Sequence, residues 1–367
     1  MADPAPERNV ESEPDVASEA AVESEPDGGS EHGESLLTVL LALGANVAIA
    51  VAKAVAGVLT GSAALLSEAG HSVADCGTEL FLLTALRRSA KPADARHPFG
   101  YGKERYFWSL LAAVSIFTAG ALFALYQGVE TLTGQPEDHK NVLVGYLVLA
   151  GSAVLESISL TQAIRQVRGE QAKEQLPLWL YLRRSDDPTV KTVLYEDSAA
   201  LVGLLLAFGG LGLTQLTGSS AWDGIASLLI GVLLVAVAYL LGRTNMNLLI
   251  GRQADPRLVY AIRDRLAAAP EVEAVVDLLT MLTGTDRVLV CARLDFDDSV
   301  TTADLERACV RIDAELRQEF SDLDEIFLEP VPRNDPDLQA RVRARYGPDR
   351  LRAPERTVSK PTDVIGK

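Results

Sequence analysis

Six long apolar runs lie between Leu36 and Ile250, and they constrain the fold more than any other feature of the chain. A bilayer core takes roughly 20 apolar residues as helix, since a helix satisfies its backbone N–H and C=O groups internally where no water can. The runs cover about residues 36–59, 62–86, 107–131, 142–164, 192–216 and 222–241. The sequence therefore reads as an α-helical membrane protein with six transmembrane helices in a domain over residues 36–250.

The connecting segments set the expected orientation. Residues 87–105 carry Arg87, Arg88, Lys91, Arg96, Lys103 and Arg105, and residues 165–191 carry a further six basic side chains. The segments at 60–61, 134–141 and 217–221 carry only Lys140. Basic loops stay on the cytoplasmic side, so both termini are expected there. The N-terminus lacks the basic start and early apolar core of a signal peptide. A multi-pass protein of a bacterial plasma (inner) membrane is the simple expectation.

The net charge of −16 is concentrated in part at the N-terminus, where ESEPD occurs at both 11–15 and 23–27. So acidic a segment with so few large apolar side chains cannot offset the entropy of ordering, and residues 1–35 are expected to be a disordered tail. It would repel phosphate, which excludes nucleic acid as a partner. Cys76, Cys291 and Cys309 form no CxxC pair, so neither a disulfide framework nor a thiolate metal site is expected.

After Gly251 the pattern becomes that of a soluble domain. Asp255-Pro256 is a helix start, and a helix is expected to about Ala268. Residues 272–282 and 287–296 read as strands, the second alternating Val288, Val290, Ala292, Leu294 and Phe296. Thr301 with Asp304 opens a helix to about Phe320, and 325–331 reads as a third strand. This α-β-β-α-β order predicts a small cytoplasmic α/β (ferredoxin-like) domain over 251–335, with a flexible tail over 336–367.

Ionisable side chains at membrane depth cost a few kcal/mol each on insertion scales, about 3 for Asp or Lys. The second run carries Glu68, His71, Asp75 and Glu79. At about 100° per residue they fall within an arc of roughly 80°, one polar stripe on an apolar helix. HisxxxAsp sets an imidazole and a carboxylate one turn apart on one face, as two ligands of a tetrahedral metal would be. The same spacing also suits an internal His–Asp hydrogen bond that locks helices together. The fifth run opens with Glu196-Asp197, of which only one can face His71; Asp197 is the first choice and Glu196 the second. Glu156 in the fourth run suits a proton carrier or a helix–helix hydrogen bond. Glu68 and Glu79 suit either an ion path or helix contacts.

At these residues the chain resembles the cation diffusion facilitator family. Residues 61–75, GSAALLSEAGHSVAD, match that family's second-helix signature, and residues 92–103, PADARHPFGYGK, are similar to its following loop. Asp223 in WDGIAS is similar too, and the likeness runs from about Leu36 to Pro332. The resemblance implies a homodimer in the lipid bilayer that exchanges a divalent metal cation for protons, with the metal, zinc first among candidates, as substrate and no cofactor. It implies metal ligands at His71, Asp75 and Asp197. The usual first ligand of the fifth helix falls on Val193, and the Glu196-Asp197 pair is similar to the zinc-transporter-9-type branch. The loop metal site of some members maps to Asp94, His97 and Tyr101, an incomplete set. The tail histidines of bacterial relatives map to Val276, Arg293 and Leu328. Manganese, iron and cobalt are the alternative ions, and a non-transporting dimeric scaffold is the alternative role. No HExxH or nucleophile–base pair points to an enzyme.

Overall fold

The computed structural model describes residues 29–134, 141–174 and 188–346, so most of the acidic tail and the end of the C-terminal tail lie outside the described residues. By its internal contacts the chain divides into two units, Met1–Ala42 and Leu43–Lys367. Helices cover all six apolar runs: α1 (Gly29–Thr60), α2 (Ala63–Ser89), α3 (Glu104–Thr133), α4 (Val142–Glu174), α5 (Pro188–Thr217) and α6 (Ala221–Ile250). Among the described residues, α3 to α6 contain the helices long and apolar enough to cross a membrane. In α1 only Asn46–Thr60 counts as an apolar helix, of shorter length. The polar stripe keeps α2 out of that set.

Small residues let these helices approach closely, as apolar bundles in lipid require. A Cβ on Gly231 of α6 would come within 2.7 Å of Leu125 of α3. Midway, α3 widens into a π turn over Ile116–Ala121. Gly120 of that turn lies against α2, where a Cβ would sit 3.9 Å from the His71 Cα. Insertions of this kind recur at functional sites.

The helix α6 runs past its expected end and stops at Gly251, whose φ of +118° only glycine adopts without strain. There follow α7 (Pro256–Ala268), β1 (Val272–Gly284), β2 (Arg287–Phe296), α8 (Thr302–Glu319) and β3 (Leu323–Pro330). Asp255 caps α7 through the Arg257 N–H, and Thr301 caps α8 through the Asp304 N–H, as their sequences predict. The sheet order is β1-β2-β3, with β1 antiparallel and β3 parallel to β2. The inward residues of β2, Val288, Val290, Ala292 and Leu294, are buried with Ile262 and Leu266 of α7 and Ile312 and Leu316 of α8.

Two tail boundaries also differ from expectation. The helix α1 begins at Gly29, inside the segment expected to be disordered. The segment after Asn334 opens with α9 (Pro336–Tyr346) rather than a loose tail. Leu338 and Val342 of α9 are buried, Arg345 donates to Asp277 at 2.8 Å, and the Tyr346 hydroxyl donates to the Leu278 carbonyl at 3.2 Å. Two apolar anchors and two bonds to β1 offset the ordering cost that its charged composition suggested.

The loop between α2 and α3 meets the β1–β2 turn. A Cβ on Gly102 would lie 2.5 Å from the Thr283 carbonyl oxygen, and the Arg287 guanidinium lies against Gly100. Tyr106 and Leu248, at the ends of α3 and α6, belong to the same core cluster as the sheet.

Candidate metal-transport site

The helix α2 carries the candidate site, and its start is fixed by a carboxylate from α6. Gly61, at φ +70°, makes the tight turn from α1 into α2. Ser62 caps α2 by accepting the Leu65 N–H. The fully buried Asp223 carboxylate accepts from the Ser62 hydroxyl at 2.7 Å, from the Ala64 N–H at 3.3 Å and from the Ala63 N–H. A negative charge at the positive end of a helix is favoured by the macrodipole and by the unpaired N–H groups there. One turn on, Ser67 shares a 2.5 Å hydrogen bond with Ser227, which donates to the Ala124 carbonyl at 2.7 Å. The register of α2 against α3 and α6 is thereby set just before His71.

His71 is almost wholly buried, and its Nδ1 lies 3.3 Å from Asp75 Oδ1. The geometry is not that of a hydrogen bond. Neither ring nitrogen has a hydrogen-bond partner, nor has Asp75 Oδ1. The other arrangement that the spacing allows, an internal His–Asp hydrogen bond, is therefore not what these side chains make.

On α5, Glu196 and Asp197 diverge as adjacent residues must. Glu196 is buried in the field of Asp75 and against Thr78 of α2, and its Oε1 makes no hydrogen bond of good geometry. Asp197 is turned to α4, where it accepts from the Ser159 hydroxyl at 2.8 Å and lies in the field of Glu156. Both α5 carboxylates thus lie within the field of Asp75. Asp75 also feels Glu156, Lys53 and Asp197. Among the described residues, no three His, Cys, Asp or Glu side chains converge closely enough to hold a metal ion in this conformation.

The rest of the stripe is paired. Glu79 accepts from the Asn46 amide of α1 and keeps its Oε2 buried without a partner. Glu68 accepts from Lys53 of α1 at 3.1 Å, and Lys53 also donates to Ser72 at 2.9 Å. Sequence reading missed Lys53, Asn46 and Ser159. The cost rule that singles out Glu68 applies equally to Lys53, a charge inside an apolar run.

The loop site is closed by its own chemistry. Asp94 accepts from the backbone of Arg96 and His97 at 2.8 and 2.7 Å and from the Tyr101 hydroxyl at 2.7 Å. The Tyr101 hydroxyl, followed by the His97 N–H, holds the Asp94 carboxyl down at about 2. His97 rests on the Tyr101 ring, 4.2 Å between centroids.

Against this geometry, the model of the cation efflux transmembrane domain matches residues 39–250. The chain is 38% identical over 250 residues to the mitochondrial proton-coupled zinc antiporter SLC30A9 of Xenopus laevis, and 35% to that of Homo sapiens; each match covers 68% of this chain and 44% of the antiporter. It is 32% identical over 285 residues to metal tolerance protein C4 of Arabidopsis thaliana, covering 77% of this chain and 60% of that protein. The chain thus spans less than half the length of the zinc antiporters it matches. Those antiporters are described as mitochondrial, so the expectation of a plasma membrane finds no support.

Proposed function

Since the chain belongs to the cation diffusion facilitator, or cation efflux, family, we propose that it carries a divalent transition metal, zinc foremost, across a membrane in exchange for protons. The observation that carries this reading is the set of buried polar atoms without hydrogen-bond partners on α2 and α5: both His71 nitrogens, Asp75 Oδ1 and Glu196 Oε1. Leaving such atoms unpaired costs about 1–3 kcal/mol each. A cation would take one of the two ring nitrogens, the other keeping its proton, together with carboxylate oxygens.

The imidazole and the Asp75 carboxylate supply two ligands. Glu196 of α5 supplies a third, while Asp197 is held by Ser159. Metal binds neutral imidazole and ionised carboxylate, so protons leave as metal arrives and displace it when they return. Glu79 and Glu156 are the groups placed to pass those protons or line the path. All six long helices span the bilayer in this reading, with both termini and a small ferredoxin-like domain on the side of the basic loops. Two copies make the working unit.

The carboxylate oxygens taken alone suit manganese as well, because harder ions prefer oxygen, so the choice of ion rests on the residues around the ligands. A relative only 22% identical is the manganese efflux protein MneP of Bacillus subtilis.

The test is zinc-dependent proton flux in vesicles holding the purified full chain. His71→Ala and Asp75→Ala should each abolish it. Flux that persists unchanged in both variants rules out this site. Competition by manganese, iron and cobalt ranks the substrates.

A further inference from the structure

Lys53 of α1 and Glu68 of α2 are both fully buried, with 3.1 Å between Nζ and Oε2. The second bond of the ammonium, to Ser72 Oγ at 2.9 Å, ties it to the residue beside His71. Buried ion pairs contribute little net stability, because desolvation offsets their attraction. Stability therefore does not account for a lysine here.

Its position does more. The Lys53 charge is felt by both His71 and Asp75. Glu68 lies one turn from His71 on the same stripe, yet Lys53 holds one of its oxygens. The other, Oε1, is buried without a hydrogen-bond partner against α5, where a Cβ on Gly203 would collide with it.

We propose that Lys53 is a selectivity residue for the transported ion: a resident cation that withholds Glu68 from the substrate and raises the electrostatic cost of any metal at His71 and Asp75. The proposal rests on the metal-carrier reading above. An ion that gains strongly from imidazole nitrogen, as zinc does, overcomes that cost. Manganese and magnesium, which depend on oxygen ligands, do not. Without the ammonium, Glu68 becomes an added oxygen donor one turn from the site, and the discrimination falls.

The experiment is calorimetric titration of the purified full chain with zinc, manganese and magnesium, for wild type, Lys53→Met, Glu68→Gln and the double variant. At an effective dielectric constant near 20, a unit charge about 10 Å from a divalent ion changes its affinity more than tenfold. Lys53→Met should tighten manganese binding at least tenfold and narrow the zinc-to-manganese ratio. The double variant should lose both effects, since Glu68 no longer supplies a carboxylate. Glu68→Gln, which leaves the ammonium uncompensated, should weaken zinc at least tenfold. Lys53→Met affinities within twofold of wild type, or a gain that survives in the double variant, overturn the proposal. Should Lys53→Met fail to fold, Glu68→Gln decides alone, and unchanged zinc affinity overturns it. Wild type that binds no zinc refutes the carrier reading instead.

Discussion

Removing the Asp223 carboxylate tests how α2, and the site it carries, is held in place. Asp223→Ala leaves the Ser62 hydroxyl and the Ala63 and Ala64 N–H groups without that acceptor, in a region where all three residues are buried. Hydrogen bonds to a charged group are worth about 1.5–3 kcal/mol each, and they are not additive when they share an acceptor. Loss of the charge at the helix start adds up to about 2 kcal/mol. Water reaching the vacated space recovers part of this, which leaves a cost of about 3–5 kcal/mol. Ser62→Ala removes the Leu65 cap and one Asp223 bond, for about 1–2 kcal/mol. At roughly 2 °C per kcal/mol for a chain of this size, thermal unfolding in detergent should fall by about 6–10 °C in Asp223→Ala and about 2–4 °C in Ser62→Ala. The double variant should lose less than the sum. A midpoint for Asp223→Ala no lower than that for Ser62→Ala would show that the carboxylate does not anchor α2.

Other outcomes follow from single contacts. The depressed Asp94 pKa makes its contribution to loop order complete above the ordinary value of about 3.9 and lost as pH falls through about 2; Tyr101→Phe removes the largest cause and should move that loss upward towards 3.9, read by hydrogen exchange of residues 94–103. Gly102→Ala forces a methyl to 2.5 Å from the Thr283 carbonyl, so it should loosen the loop from the β1–β2 turn and raise protease sensitivity there without altering zinc affinity. Gly203→Ala drives Glu68 away from α5 and should lower the unfolding midpoint by several degrees in the same detergent assay.

How much of this was legible depends on whether a feature is carried by one segment or by two. The helices, the caps at Asp255 and Thr301 and the alternation in β2 are local, and hydrophobic period with capping chemistry predicts them closely. The π turn of α3 has no such local signal; a Cβ on its Gly120 would lie 3.1 Å from Leu234 of α6 and 3.7 Å from Ala74 of α2. Nor is the order of α9 local, since it depends on Asp277 and Leu278 of a distant strand. Asp223 was legible as a motif residue and illegible as a cap. Its partners lie about 160 positions away.

The fifth helix shows the same limit at the site itself. Spacing says only that Glu196 and Asp197 point about 100° apart, and the family pattern favours Asp197. What decides their directions is the neighbour each one meets: α4 offers Asp197 a serine donor, while Glu196 turns its unpaired Oε1 to the interior. Val193 removes the usual nearby ligand, so an oxygen donor has to come from elsewhere on α5. At 100° per residue Glu196, three residues on, lies about 60° to one side of Val193, and Asp197, four on, about 40° to the other. Angle alone does not choose between them; the Ser159 bond that holds Asp197 and the unpaired Oε1 of Glu196 favour Glu196 as the oxygen that meets the metal. In that arrangement Ser159→Ala should change zinc affinity little, while Glu196→Gln should weaken it at least tenfold. The reverse ranking in a calorimetric titration would return the ligand role to Asp197.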